Sequence, residues 1–290
     1  MDKHYPSFIF HSPKFIYRDP ESPVIRFDHQ SAEIFFSNQQ QTLISLHASP
    51  FGGFLTDREI SKDDVHICLD KIYAWSASNG VKQLLIRSFP DGYHPEFAHL
   101  IKETLLGSSF QVLYSDIAQF IYVSVTGSMD LNPHKRRRLR NSETRRFQFR
   151  SLVPSFLDRA YELFSQSRNN KGYPITMSLE GLQNMFTLFP DEYLLFGVFD
   201  EEKMIAASVS IKVCQRILYC FYIGDDLEYR SQSPVTVLVA GIYEYCRVNN
   251  FFVLDLGLST EKGIVNKGLY TFKKSFGAVE SPKLTFVKKL

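Results

Sequence analysis

The chain has 290 residues, 44% hydrophobic and 22% charged, with a net charge of +2. Those values exclude a disordered chain and leave room for two cores, since one compact domain rarely grows much past ~250 residues. No run approaches the ~20 apolar residues of a membrane span and no basic-then-apolar leader precedes Pro6. The four cysteines (Cys68, Cys214, Cys220 and Cys246) lack C-x-x-C spacing, so the expectation is a cytoplasmic protein without a disulfide framework, a metal site or a membrane span.

In chain order, the first strand expected is Leu43–His47, running into Ser49-Pro50-Phe51-Gly52-Gly53. A helix over Lys62–Ser78 ends at Gly80. Then come a strand at Gln83–Ile86, a helix near Phe97–Leu106, and strands around Val112 and over Phe120–Val125. Next is a strongly basic segment. From Lys135 to Arg146 there are seven basic residues and one acid, a local +6, so the rest of the chain sums to −4.

Beyond it, Phe147–Arg150 is a short strand. Leu157, Ala160, Tyr161 and Phe164 follow at i, i+3, i+4 and i+7, the period of a helix. A second helix near Leu179–Phe189 begins after Ser178 and stops at Pro190. Strands are expected at Tyr193–Phe199, Met204–Val213 and Ile217–Ile223, then a helix opened by Ser233-Pro234, a buried strand at Phe251–Gly257, a helix near Val265–Phe276 and a last strand at Leu284–Val287. This order implies the α/β class with mixed (α+β) sheets. The end of the pattern echoes the N-terminal half, so two domains of one architecture are expected, 1–130 and 147–290, joined by 131–146.

Ser is a preferred N-cap and Pro a preferred first helical residue, so the Ser233-Pro234 start is well specified. A helix N-terminus leaves amides unpaired and carries partial positive charge, which suits a diphosphate. Arg230, Ser231, Gln232, Ser233 and Val235 are therefore candidates to bind a donor's phosphates; the plain alternative is a capped helix and nothing more. The equivalent N-terminal helix begins Ser61-Lys62-Asp63-Asp64, whose acids would repel a phosphate, so that domain is read as not binding the donor. All eight histidines lie in the first 134 residues. If catalysis needs a histidine base, it must come from the N-terminal domain, and His47, beside the Ser49–Gly53 loop, is the best placed; the plain alternative is a histidine satisfied within its strand. The basic run Lys135–Arg146 is a candidate contact for tRNA or other RNA, lipid phosphates or the donor's phosphates, against the reading of a merely solvated face.

Three features taken together resemble the GNAT superfamily of acyltransferases: the loop before Pro234, the strand ending Leu254-Asp255-Leu256-Gly257, and Asn266–Gly277 with its Phe272-Lys273-x-x-Phe276-Gly277 ending. That ending, the Leu-Asp-Leu-Gly strand, Ser49–Gly53 and the arginine-rich joint resemble the Fem-type branch, which carries two such domains in tandem. The N-terminal copy here is diverged. The resemblance implies an acyltransferase moving an acyl group from acyl-CoA, or an aminoacyl group from tRNA, onto an amine. The acceptor would be a small molecule or a cell-envelope precursor, bound in a groove between the two domains near His47, Ser49, Phe51, Gly52, Gly53 and Tyr222. It implies catalytic roles for Lys273, which stands at the place of the GNAT tyrosine counted back from Gly277, for Tyr270 and for Asp255. Lys273 would steady negative charge on the donor or on the tetrahedral intermediate; the plain alternative is a lysine merely exposed on the last helical turn, where the dipole favours it. Arg230-Ser231-Gln232-Ser233-Pro234 lacks the glycines of most GNAT phosphate loops, and no heptad stretch matches the coiled coil common among tRNA-dependent members. Both donors stay open, as does a non-catalytic binding protein of the same fold.

Overall fold

The computed structural model describes residues 8–19, 22–46, 48–124, 126–144, 147–170, 172 and 175–290. They form two compact units. One holds the chain up to Ala118 together with Leu258–Asn266 and Glu280–Leu290; the other holds Gln119–Gly257 and Lys267–Val279. Two short segments of the C-terminal half thus pack with the N-terminal unit, while the basic segment packs in the C-terminal one.

The N-terminal unit begins with a single helical turn, α1 (Pro13–Ile16), and the strands β1 (Ile25–His29), β2 (Ala32–Gln39) and β3 (Thr42–Ser45). Helix α2 (Lys62–Ser78), β4 (Gln83–Arg87), α3 (Pro95–Gly107) and β5 (Gln111–Tyr122, within this unit to Ala118) follow. The β1–β2–β3 run is antiparallel and β3 pairs β4 in parallel. On α2 the buried Val65, Cys68, Leu69 and Ile72 recur at helical spacing, which turns one stripe to the core. The N-terminus of α2 is closed by its own side chains. Ser61 accepts from the Asp64 amide and the Asp64 carboxylate accepts from the Ser61 amide at 2.8 Å, and these bonds hold the Asp64 carboxyl below the usual carboxylate range.

Three local expectations are corrected here. Strands β1 and β2 form a hairpin where none was expected. The strand expected to reach His47 ends at Ser45, and His47 itself lies outside the described residues. The strands expected around Val112 and Phe120 are one continuous β5, because no Gly or Pro interrupts the run from Gln111 to Tyr122.

The C-terminal unit starts with α4 (Pro133–Thr144), formed by the basic segment and capped by Asn132, whose Oδ1 accepts from the Lys135 amide at 2.8 Å. Then come β6 (Gln148–Leu152), α5 (Leu157–Asn169), α6 (Leu179–Leu188), β7 (Tyr193–Asp200), β8 (Lys203–Cys214), β9 (Ile217–Asp225), α7 (Pro234–Val248) and β10 (Val253–Leu258). Strands β6 to β9 form an antiparallel meander. The chain then crosses through α7 to place β10 parallel to β9, as a parallel neighbour requires. A two-stranded ribbon, β11 (Thr260–Glu261) and β12 (Ile264–Val265), leads into α8 (Lys267–Lys274). Strand β13 (Val279–Lys289) ends the chain, antiparallel to β4 of the N-terminal unit. The core of the C-terminal unit gathers Phe196 of β7, Leu218 of β9, Leu238 of α7, Leu254 of β10 and Phe276, just past the end of α8.

Gly224 lets β9 lie directly on α5. A Cβ there would stand 2.7 Å from the Leu163 carbonyl oxygen and 2.9 Å from the Phe164 amide, both rigid backbone. Gly224→Ala is expected to destabilise the protein by ~1–3 kcal/mol, the cost of overpacking a filled interior, read as a lower urea midpoint with an unchanged slope.

Candidate functional site

The site of the C-terminal unit is built where the parallel pair β9–β10 stops pairing. Their register runs Val253 to Ile217, Leu254 to Leu218 and Asp255 to Tyr219, and no further. Beyond it β9 continues to Asp225 and then gives way to α7, while Gly257 on β10 turns through a positive φ of 80°. The carboxyl ends of a parallel pair, with a helix N-terminus beside them, form the usual ligand crevice of an open α/β sheet.

Three residues meet at that end of β10. The Asp255 carboxylate accepts from the Gly257 amide at 2.6 Å, and the Gly257 carbonyl accepts from Lys273 Nζ at 2.8 Å. Asp255 and Lys273 are 2% and 4% exposed, so two opposite charges share one dry place. Burial lowers the Lys273 ammonium to about 8, while Asp255 and, less, Cys220 work the other way. Cys220, which accepts from Ser210 Oγ at 3.8 Å, is pushed up to about 12 by burial, and Tyr219 is raised for the same reason. Lys274, one residue on, is exposed and stands 5.9 Å from the centre of the Tyr270 ring. The two lysines therefore differ sharply: Lys273 is turned inward and Lys274 outward. Tyr270 is half-buried, and its carbonyl accepts from Gln119 Nε2 at 3.4 Å.

At the start of α7, Ser233 occupies the N-cap place but not as a side-chain cap, which corrects one expectation. Its backbone is left-handed (φ 59°, ψ 51°), a conformation costing a non-glycine residue ~1–2 kcal/mol. Its hydroxyl, turned away from the helix amides, accepts instead from Arg138 Nη1 at 2.5 Å. The missing glycines of the loop are thus matched by a serine held in a glycine-like conformation. Arg138 Nη1 also donates to the Ser231 carbonyl at 2.7 Å. Val235, at the second helical position, presents an amide that no intrahelical carbonyl can reach. Arg230 is engaged differently from the expectation. Its guanidinium forks onto Asp225 with contacts of 3.2 and 3.1 Å, an ion pair that raises its pKa and offsets its charge.

The cations at this helix start come from α4. Lys135 is 9% exposed, its Nζ donates to Thr236 Oγ1 at 3.2 Å, and it lies 4.3 and 4.7 Å from the ring centres of Phe272 and Phe276. Burial, with Arg138 nearby, lowers its ammonium to about 8. A buried ammonium beside a guanidinium, both at the positive end of a helix, is a concentration of positive charge that an anion would relieve. Arg136, Arg137 and Arg140 are exposed, and Arg145 and Arg146 lie outside the described residues. The sequence marked the basic run as a whole; it did not separate the two inward cations from the outward ones.

The candidate acceptor residues are placed as follows. In the N-terminal unit Ser49 Oγ donates to the Phe51 carbonyl at 2.7 Å, and Phe51 is 2% exposed among Phe8, Phe10 and Tyr93. The Gly52 amide donates to the Arg87 carbonyl at 2.8 Å, and a Cβ there would lie 2.6 Å from the Ser45 carbonyl oxygen. Gly53 has φ 91°. These contacts give Phe51, Gly52 and Gly53 packing roles in this unit. In the C-terminal unit Tyr222 is buried and its hydroxyl shares a 2.6 Å hydrogen bond with Thr176 Oγ1. Among the described residues no group of three or more His, Cys, Asp or Glu side chains is placed to hold a metal ion, and no helix is long and apolar enough to cross a membrane.

Comparison with known proteins gives the same architecture. Residues 134–274 match the family described as the acetyltransferase (GNAT) domain. The crystal structure of FemX superposes with a TM-score of 0.75 at 12% identity, over 99% of this chain and 94% of that one. The structure of L-PGS from Bacillus licheniformis gives a TM-score of 0.63 at 10% identity, over 99% and 93%. A tandem GNAT protein from the clavulanic acid biosynthesis pathway gives 0.51 at 6% identity, over 89% and 79%. No curated protein matches the sequence. The buried Lys273 and the bare start of α7 therefore lie within residues 134–274, the part of the chain that matches the GNAT acetyltransferase domain, and the chain has the fold of the Fem-type tandem GNAT proteins.

Proposed function

We propose that the protein is an N-acyltransferase whose phosphate-bearing donor binds at the end of β9 and β10 in the C-terminal unit. The observation that carries this reading is the convergence of Lys135, Arg138 and the N-terminus of α7 a few residues from the end of the strand whose partner β10 leads to Lys273. The donor's phosphates take the α7 amides, Lys135 and Arg138; its acyl carbonyl lies toward Lys273. An amine attacks that carbonyl, a nitrogen–carbon bond forms and the bond to the leaving thiol or hydroxyl breaks. The amine gives up one proton and the leaving group takes one. The Lys273 ammonium offsets the negative charge that appears on the carbonyl oxygen between these events. Asp255 keeps that ammonium charged in a place where burial alone would discharge it.

Acyl-CoA is the first donor to test, as the small diphosphate-bearing substrate used by GNAT domains. Aminoacyl-tRNA is the second, and a separate observation favours it: Arg136, Arg137 and Arg140 point outward from the same helix, a stripe suited to a nucleic-acid backbone. The fold shared with FemX and L-PGS agrees with either. The rival reading, a binding protein without catalysis, draws support from Arg230, whose charge is spent on Asp225.

A thermal-shift series with CoA, acetyl-CoA and a charged tRNA separates these readings. Donor at ~100 times its dissociation constant adds ~2.7 kcal/mol to stability, a clear rise in melting temperature. Arg138→Gln and Lys135→Met should each weaken donor binding by ~10-fold or more, the worth of a charge-assisted contact. A rise with tRNA alone assigns the donor to tRNA. No rise with any of the three, in a folded protein, removes the donor site from α7.

A further inference from the structure

The Lys273 ammonium donates to the Gly257 carbonyl, a bond that closes a stretch of 16 residues onto itself. Both ends of that stretch lie in the C-terminal unit, but its middle, Leu258–Asn266, packs in the N-terminal one. The transfer chemistry gives this middle part no task. Pinning it matters all the same, because a stretch held at its middle loses less freedom when its ends are brought together.

The pin is a buried carboxylate. Asp116 of β5 is 5% exposed, and its Oδ1 takes two bonds from the ribbon of β11 and β12. Thr260 Oγ1 donates to it at 2.7 Å and the Gly263 amide at 3.0 Å. The Ile117 amide in turn donates to Thr260 Oγ1 at 2.9 Å, and the Ser259 amide donates to the Ile117 carbonyl at 2.8 Å. At the ribbon's tip Lys262 and Gly263 have φ of 49° and 81°, the left-handed pair of a tight hairpin turn.

A buried carboxylate is costly unless hydrogen bonds and opposite charge meet it. Both do here. Lys283 of β13 is 6% exposed; burial, with Arg87 nearby, lowers its ammonium to about 8, and Asp116 works the other way. An apolar side chain could fill this place, but it could not hold a hydroxyl and an amide at fixed distances.

We propose that Asp116 is a positioning residue for Lys273: through Thr260 and Gly263 it fixes the stretch whose ends bring the Lys273 ammonium onto the Gly257 carbonyl. The use of Lys273 in transfer rests on the function proposed above; the tie from Asp116 to Lys273 does not.

The tie is read on Lys273 itself. The full-length protein is labelled with acetic anhydride over a range of pH, and Lys273 is followed by mass spectrometry. Lys274, in the same digest, is the control. Only the neutral amine reacts, so the midpoint of labelling reports the ammonium. In the wild-type protein the Lys273 midpoint should lie near 8, with burial lowering it and Asp255 and Cys220 working the other way. In Thr260→Val, which loses the hydroxyl and keeps the shape, water should reach Lys273 and raise its midpoint toward the ordinary lysine value. Thr260→Ser, which keeps the hydroxyl, should stay near 8. Amides 261–266 should exchange ~10-fold faster in Thr260→Val, the order of one hydrogen bond to a charged group, while those of α7 hold their rates. Three results overturn the proposal: a Lys273 midpoint that stays near 8 although the ribbon exchanges faster, a ribbon whose exchange does not change, or faster exchange throughout α7 as well. Asp116→Asn, whose amide oxygen is the weaker acceptor, should move both readings the same way and decides the matter if Thr260→Val does not fold. Neither reading needs a donor or an acceptor, so a failed search for the donor leaves them standing, and their failure leaves the donor site at α7 untouched.

Discussion

Lys273→Ala is expected to lower the rate of acyl transfer by ~100-fold or more, the scale of losing one preorganised oxyanion donor. The reason is positional. Lys273 is 4% exposed, its Nζ is fixed at 2.8 Å on the Gly257 carbonyl, and Gly257 is itself fixed by Asp255 at 2.6 Å. An ammonium held this way spends little on reorganisation when charge develops beside it. Donor affinity should change much less than turnover, because the interaction strengthens only as the oxyanion forms. Lys274→Ala is the internal control: it sits one residue on, on the exposed side of the same helix, over Tyr270. Lys273→Met, which keeps much of the buried volume, separates loss of charge from loss of packing. If Lys273→Met and Lys274→Ala are equally active, Lys273 is a structural lysine and the assignment fails. If Lys273→Ala weakens donor binding and leaves turnover at saturation intact, the ammonium belongs with Lys135 and Arg138, the cations proposed to hold the donor's phosphates.

The C-terminal unit was legible almost element by element. Its helices and strands are punctuated by Ser178, Pro190, Ser233-Pro234 and Gly277, and its apolar runs leave little choice of period. The hairpin of β1 and β2 was not legible, nor its turn into β3. That second turn is made by Gln40 and Gln41, both at positive φ, where a hairpin signal would read Asn-Gly. Glutamine carries no such signal, so only the paired strands reveal the turn. Lys273 and Asp255 could be singled out as candidates because both lie in short contiguous motifs near Gly257 and Gly277. Lys135 and Arg138 could not be singled out, because the residues that give them meaning, Thr236 and Ser233, lie 101 and 95 positions away. Arg230 is a different case: Asp225, only five residues before it, pairs with it, a local acid that weighs against its charge being open to a phosphate.

Asp255→Asn is expected to move the alkaline limb of the pH–rate profile to lower pH. In the wild-type protein the Lys273 ammonium titrates near 8, so a rate that needs it is full below that value and is lost as pH rises through it. Burial lowers the ammonium and the Asp255 carboxylate raises it, so removing the carboxylate lowers it further. The other groups facing Lys273 do not compensate: burial pushes the Cys220 thiol to about 12 and raises Tyr219, so both stay neutral. An opposite charge favours the ammonium, so losing it should carry the limb below its wild-type position. At pH ~7.5 the charged fraction of Lys273, and the rate with it, should fall. The rate lost at that pH should return on acidification, which a merely misfolded variant would not do. The Asp255→Glu variant, which restores the charge, should bring the limb back toward 8. A profile of reduced height whose alkaline limb stays where it was would mean that Asp255 acts through the backbone at Gly257, and that Lys273 takes its charge from elsewhere.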